Sequence, residues 1–379
     1  MDSKWREQMG VSLLGFGTMR LPQTDSEDPA AIDYPKAQEM IDYAMAHGVN
    51  YFDTAYTYHK GQSERFIGQA LKKYPRESYF LATKMPTWLL KSKDDLKRIF
   101  EHQLEKCQVE YFDFYLVHDI NVDDYDNFIQ YQMYDFLAQK KAEGKIRHLG
   151  FSFHDTPELL QQVASSYDWD FAQIQLNYID WELQNAKRQY EILEELGLPV
   201  IVMEPVRGGA LATLNPEAVS ILQSCQPDAS PASWALRYAA SLPGVLTILS
   251  GMSTLAQVED NTRTLKDAKP LTSSEHQVLE QAYTAYRSSL AVPCTNCRYC
   301  MDCPAGVDIP KNFTAYNQYA VTKNKIGFLI SYRLLGDKKQ ASSCVHCNRC
   351  VTLCPQHIPI PEELAKISRF QAELEKQSQ

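Results

Sequence analysis

A chain of 379 residues with 44% hydrophobic side chains can bury a large core. It has room for two to three average domains, or for one barrel of ~250 residues with a small appendix. A formal charge of −9 argues against nucleic acid or an anionic membrane as partner, since both require a basic face. No run of about 18 apolar residues occurs, so no membrane-spanning helix is expected.

The N-terminal residues Met1-Asp-Ser-Lys-Trp-Arg-Glu-Gln show no charged leader ahead of an apolar stretch, and the expectation is a cytoplasmic protein in a reducing compartment. From there to about residue 250, short apolar runs alternate with helical patterns. The predicted strands are Leu13–Thr18, Val49–Phe52, Tyr79–Thr83, Phe112–Val117, Ile146–Phe151, Phe171–Leu176, Pro199–Met203 and Val245–Leu249. The first helix between them is marked by Asp33 as cap, Pro35 in the first turn, apolar Met40, Ile41, Ala44 and Met45, and Gly48 at the stop. Ser63 is expected to open the next, with Phe66, Ile67, Ala70 and Leu71 on one face. Thr156 and Pro157 form a cap and first-turn pair ahead of Leu159, Leu160 and Val163.

Eight continuously apolar strands separated by helices predict a parallel (β/α)8 barrel, an α/β fold of the TIM type. A doubly wound sheet is the alternative, but Gly15-Phe-Gly17 is not followed by the full dinucleotide-binding glycine pattern. Ser273–Ser289 reads as a closing helix, and composition changes at Pro293. The division expected is 1–289 for the barrel and 290–379 for a small, mostly helical ferredoxin-like iron–sulfur domain.

That tail holds eight of the ten cysteines. Cys294, Cys297, Cys300 and Cys303 precede Pro304; Cys344, Cys347, Cys350 and Cys354 precede Pro355. The second run has the C-x2-C-x2-C-x3-C-P spacing in which three thiolates serve one [4Fe–4S] cluster and the fourth a neighbouring one. Two runs predict two clusters. Disulfides conflict with a reducing compartment, and each run supplies more thiolates than a single tetrahedral zinc ion takes from one place. Each run leads through Ile-Pro, at Ile309-Pro310 or Ile358-Pro359, into a helical stretch, which makes the tail an internal repeat. Reciprocal ligation gives one cluster Cys294, Cys297, Cys300 and Cys354 and the other Cys344, Cys347, Cys350 and Cys303. The first run is one residue short before its last cysteine, which leaves that crossing open. Cys107 and Cys225 stand alone in helical patterns and read as small buried apolar side chains.

Chemistry in parallel barrels collects where strands end. Three predicted strands end in Asp53, Lys84 and His118, and Tyr58 follows Asp53 in the same loop. A lysine held against a phenol favours phenolate, an aspartate keeps the lysine charged, and a histidine can orient a carbonyl oxygen. Such a set can protonate an oxygen that gains charge during hydride addition. Each member taken alone reads as an ordinary polar residue at a strand end.

The segments Gly15-Phe-Gly-Thr-Met19, Asn50-Tyr-Phe-Asp-Thr-Ala-Tyr-Thr-Tyr58, Ala82-Thr-Lys84, Asp113-Phe-Tyr-Leu-Val-His118 and Gly150-Phe-Ser152 resemble the aldo-keto reductase superfamily over roughly residues 10–265. With the cysteine tail, the chain resembles the branch that carries a ferredoxin-type two-cluster domain. The resemblance implies a catalytic tetrad of Asp53, Tyr58, Lys84 and His118 and a nicotinamide cofactor. Ser152 and Gln173 would hold the carboxamide, and Met203 would lie under the ring. Pro205, Gly208, Gly209, Ser250, Gly251, Gln257 and Asn261 would clasp the pyrophosphate and adenosine. Met203 replaces the aromatic residue the family often has, and Gly251 and Gln257 replace its 2′-phosphate cations, so NADH and NADPH both remain open.

The function expected is NAD(P)H-linked reduction of a small carbonyl compound, or oxidation of the alcohol, with the clusters available for electron transfer. Arg20 and Arg207 would favour an acidic substrate if they overhang the pocket, and are solvated surface residues otherwise. Trp88 is either an apolar wall of the pocket or packing under a loop. A flavin would reconcile hydride with single electrons, but no flavin site is evident. Lys311, Lys323, Lys325, Arg333, Lys338 and Lys339 face only Asp308 and Asp337 between Pro304 and Ser343. They could steer an acidic ferredoxin or flavodoxin, or simply form a solvated face. Competing functions are a redox-sensing or relay protein that binds nicotinamide without turnover, and a reductase whose clusters only clamp the tail.

Overall fold

The computed structural model describes residues 4–25, 28–122, 124–287, 291–294, 297–301 and 303–377. The chain forms two compact units, Met1–Val206 with Ala232–Thr272, and Arg207–Pro231 with Ser273–Gln379. The expected boundary between residues 289 and 290 lies outside the described residues.

The first unit is a closed barrel of eight parallel strands in sequential order. They are β1 (Leu14–Gly17), β2 (Tyr51–Asp53), β3 (Phe80–Pro86), β4 (Phe112–Ile120), β5 (Ile146–Phe153), β6 (Phe171–Gln175), β7 (Val200–Met203) and β8 (Val245–Gly251). Every strand expected from the sequence is present. Several run further than the apolar runs suggest, so Lys84, His118, Ser152 and Ser250 lie within strands rather than beyond them. Parallel pairing sets Gly17 beside both Asp53 and Gly251, Pro86 beside His118, and Ser152 beside Gln173. The polar residues thereby collect at the C-terminal rim.

The barrel interior is a packed core. Tyr51, Phe114 and Phe171 meet at ring-centroid distances of 5.0 and 5.2 Å, with Leu116, Ile201, Leu246 and Leu249 filling the rest. Trp5 and Met9 of the helix Lys4–Met9 pack against this cluster. A plugged interior leaves the loops beyond the strand ends as the place for a ligand.

Helix termini follow the expected local chemistry at two places and depart from it at one. Asp33 accepts the Lys36 N–H and Thr156 accepts the Leu159 N–H, with Pro35 and Pro157 in the first turns. Ser63, however, does not open its helix. His59, Lys60 and Gly61 all take positive φ, Gly61 is the residue before the helix Gln62–Leu71, and the Ser63 hydroxyl is buried between Thr18 and Thr54.

The outer side of β3 carries a buried ionic network. Glu64 pairs with Lys106 and accepts hydrogen bonds from Thr83 Oγ1 at 2.6 Å and Gln103 Nε2 at 2.8 Å. Gln103 also donates to the Lys84 carbonyl oxygen at 2.9 Å. Replacing Glu64 by Gln strands the Lys106 ammonium in the core, and the expected loss is about 3–5 kcal/mol of stability, measurable by urea unfolding.

The second unit is helical. Ile309–Thr322, Lys325–Leu334 and Ile360–Gln377 surround an apolar core that includes Val307, Phe313, Phe328, Tyr332, Ile358 and Ile367. Pro310 and Pro361 stand in the first turns of the first and last of these helices, so the repeat visible in the sequence is a repeat of structure. The helix Ser273–Arg287 belongs to this unit; residues 288 and 289 of its expected span lie outside the described residues. Cys107 is buried as expected, whereas Cys225, the last residue of the helix Pro216–Cys225, is exposed. It sits where that helix gives way to a polar turn. No helix among the described residues is long and apolar enough to cross a membrane.

Candidate active site and cysteine constellations

At the C-terminal rim, Lys84 Nζ lies 2.6 Å from Asp53 Oδ1 and 2.7 Å from the Thr54 carbonyl oxygen. Its third neighbour is the Tyr58 hydroxyl at 3.5 Å. Asp53 and Lys84 are buried, and His118 is 2% exposed with its ring 5.9 Å from that of Tyr58. Trp88 stacks obliquely at 5.0 Å from His118 and is half-buried, so it walls the site rather than filling the core. Four residues scattered over 66 positions of sequence thus converge because adjacent strands bring their ends together.

Electrostatics corrects one expectation. At rest Tyr58 keeps its proton although Lys84 stands beside it: burial holds the phenol well above its ordinary value, and the carboxylates of Asp53 and Glu204 add to that. The ammonium is engaged first by Asp53, which is its closer partner. Burial also keeps His118 well below the usual imidazole range, helped by the nearby Lys84 charge, so it stands neutral. The rim therefore presents a protonated phenol and a neutral imidazole. A pH profile of carbonyl reduction should consequently hold its rate past the ordinary phenol value of about 10 before the alkaline limb appears. A limb near neutrality that vanishes in Tyr58→Phe would contradict this.

Residues expected around a nicotinamide lie on neighbouring strands. Ser152 Oγ accepts the Asp119 N–H at 2.8 Å and keeps its own proton to donate. Gln173 Nε2 contacts Met203 Sδ at 3.4 Å, while its buried Oε1 has no hydrogen-bond partner among the described residues. A primary amide, which both donates and accepts, suits that pair. Asn261 donates to Ser250 Oγ at 2.9 Å. Gln257 closes a capping box with Thr254, so its carbonyl oxygen is committed to the backbone of Ser253 and Thr254. Pro205 follows β7, and Gly208 and Gly209 take positive φ in the second unit.

Both arginines have partners within the protein. Arg20 pairs with Glu204 at 3.4 Å, and the buried Arg207 donates to the Pro293 carbonyl oxygen at 3.1 Å within the second unit. Sequence reasoning missed Glu204, directly after β7, and Asp119, next to His118 within β4, each with positive φ. It also missed Asn177, whose Nδ2 donates to the Glu204 carbonyl oxygen at 3.0 Å. Asn177 and Asp180 are spaced as an Asx turn, which was the available signal.

In the second unit, one cavity is lined by Cys294, Cys297, Cys300 and Cys354, and another by Cys303, Cys344, Cys347 and Cys350 together with Cys300. Burial pushes the Cys350 thiol up to about 11, and the neighbours that add to this are Cys344, Cys303 and Cys347. Among the described residues, no three His, Cys, Asp or Glu side chains close on a single-ion position. Thiolates around a cubic cluster bind different irons and stand further apart, which fits both cavities.

A parallel barrel with a lysine, carboxylate, phenol and imidazole at its C-terminal rim defines a class of oxidoreductase acting on carbonyl groups. The chain belongs to the aldo/keto reductase family, whose model matches residues 13–284, and a 4Fe-4S dicluster domain matches residues 293–358. Among curated proteins it is similar to the uncharacterized oxidoreductase YqkF of Bacillus subtilis, 24% identical over 315 residues that cover 74% of this chain and 97% of that one. It is also similar to the NADH-specific methylglyoxal reductase of Escherichia coli, 27% identical over 43% of this chain and 54% of that protein. Among solved structures, the holo form of the aldo-keto reductase AKR11C1 from Bacillus halodurans has a TM-score of 0.58 and 27% identity, covering 72% of this chain and 92% of that one. The protein is an aldo-keto reductase-type oxidoreductase with a C-terminal 4Fe–4S domain.

Proposed function

We propose that the protein reduces a small neutral carbonyl compound with a nicotinamide, and that its tail carries two [4Fe–4S] clusters. The observation that carries the reading is the Lys84–Asp53 ion pair at 2.6 Å with the protonated Tyr58 hydroxyl beside it. When bound, the nicotinamide would supply a hydride and the clusters single electrons. His118, neutral, fixes the carbonyl oxygen. Tyr58 gives that oxygen its proton as negative charge develops, and Lys84 stabilises the phenolate left behind. Asp53 keeps Lys84 charged and in place. Gly251 and Gln257 themselves carry no charge to meet a 2′-phosphate, which supports NADH as the donor.

The test is anaerobic turnover of a panel of aldehydes, 2-ketoaldehydes and keto acids with NADH and NADPH. Carbonyl-dependent oxidation of NADH, with kcat/KM at least as high as with NADPH and lower for keto acids, is expected. A preference of ~100-fold for NADPH would remove the cofactor assignment, and no turnover with any carbonyl would favour the relay protein.

A further inference from the structure

The two thiolate constellations differ in exposure. Cys300 and Cys354 of the first are buried, and Cys294 and Cys297 half-buried. In the second, Cys347 is exposed, and so is the whole segment from Val345 to Arg349. Val345 is 66% and Leu353 40% exposed, and both line the second cavity alongside Arg349. Val345 and Leu353 are apolar side chains beside the thiolates that the rest of the protein does not cover.

The charge of this stretch of chain is one-sided, although Arg333 is paired with Glu375 at 2.9 Å. Between Pro304 and Leu353 the sequence has seven Lys and Arg against two Asp and no Glu, in a chain of net charge −9. The backbone of Lys338 approaches the turn that follows Cys303: a Cβ at Gly306 would lie 3.7 Å from the Lys338 carbonyl oxygen, and the Gly306 N–H bonds the Cys303 carbonyl oxygen at 2.9 Å. Opposing charges among the described residues include the exposed Asp337 and Glu362, with Glu363 tied to Lys366 at 2.5 Å. Asp308 is buried and held by Lys311 at 3.6 Å and Arg298 at 3.9 Å. The helix Lys325–Leu334, whose Tyr332 hydroxyl accepts the Ser342 N–H at 3.3 Å, exposes Ile326, Ile330 and Leu334 at four-residue spacing.

We propose that Val345–Arg349, Leu353 and Lys338 form the docking surface for an acidic one-electron carrier protein, and that the site ringed by Cys303, Cys344, Cys347 and Cys350 is the port where electrons enter or leave. The proposal rests on the two-cluster reading above. An apolar centre with a basic rim matches a partner with an acidic rim, since charge steers the encounter and the apolar contact excludes water at the point of transfer. With a cluster held by these four cysteines, one electron would pass from the reduced carrier to this site in the entering direction, with no bond made or broken. Because Cys300 and Leu353 line both cavities, the two sites adjoin, and with clusters bound the site of Cys294, Cys297, Cys300 and Cys354 would be the next stop.

The probe is a photoreduced acidic [2Fe–2S] ferredoxin, mixed anaerobically with the full chain in a stopped-flow instrument and, separately, titrated into it calorimetrically. For the native chain the second-order rate should fall steeply with salt. Lys338→Glu and Arg349→Glu should each lower that rate and the affinity ~10-fold at low salt, with iron content and reduction by dithionite unchanged. Rates and affinities that are independent of salt and equal in both variants would overturn the docking surface. A native chain without iron would instead overturn the two-cluster reading, a failure seen before any ferredoxin is added.

Discussion

Tyr58→Phe should lower the rate of carbonyl reduction by ~10²–10⁴-fold and leave the affinity for nicotinamide almost unchanged. The substitution deletes one hydroxyl and keeps the ring that faces His118 at 5.9 Å. It removes the phenol proton beside Lys84 that burial keeps in place, yet it leaves Asp53 and Lys84 paired, so the barrel should retain its stability. The effect should therefore fall on kcat and kcat/KM together, the mark of an interaction made in the transition state. Stopped-flow fluorescence of bound NADH gives the affinity independently of turnover. Unimpaired turnover would take Tyr58 out of the mechanism, and a parallel loss of affinity would mean the hydroxyl holds the cofactor.

Removal of one crossing thiolate tests the cluster assignment with an effect of similar clarity. If Cys303 serves the site of Cys344, Cys347 and Cys350, then Cys303→Ser and Cys344→Ser each damage the same cluster. Iron should fall from about eight to about four per chain in either variant, and the double variant should lose no more. The cavities support this pairing, since Cys303 lines the one that holds Cys344 and Cys354 lines the one that holds Cys294. Loss of all iron in the double variant would place the two cysteines in different clusters and refute the crossing.

The legibility of the site varied with the kind of residue. Asp53, Lys84 and His118 were readable because each comes straight after an apolar run, where a polar residue has few other reasons to stand. Their mutual geometry was not readable, because 2.6 Å between Lys84 and Asp53 depends on β2 pairing with β3 in one register. The state of Tyr58 was misread for a related reason. A lysine near a phenol suggests phenolate, but the carboxylates of Asp53 and Glu204 and the depth of the rim decide the sign, and Glu204 is remote in sequence. The Glu64–Lys106 pair left no periodic signal at all: a glutamate on a helix reads as solvent-facing until a second helix covers it.

The sequence by itself determined the number and order of the strands, the helices between them, the repeat of the cysteine tail and the set of thiolates. These are local properties, written in hydrophobic period, caps and spacing that neighbouring residues read directly. Tertiary structure alone decided which thiolates share a cavity, that Ser63 is a buried link rather than a cap, that Arg20 and Arg207 are spent on Glu204 and Pro293, and that the phenol is protonated. Each of those depends on distance and burial between residues far apart in the chain, and on the Coulomb and desolvation energies that follow from them.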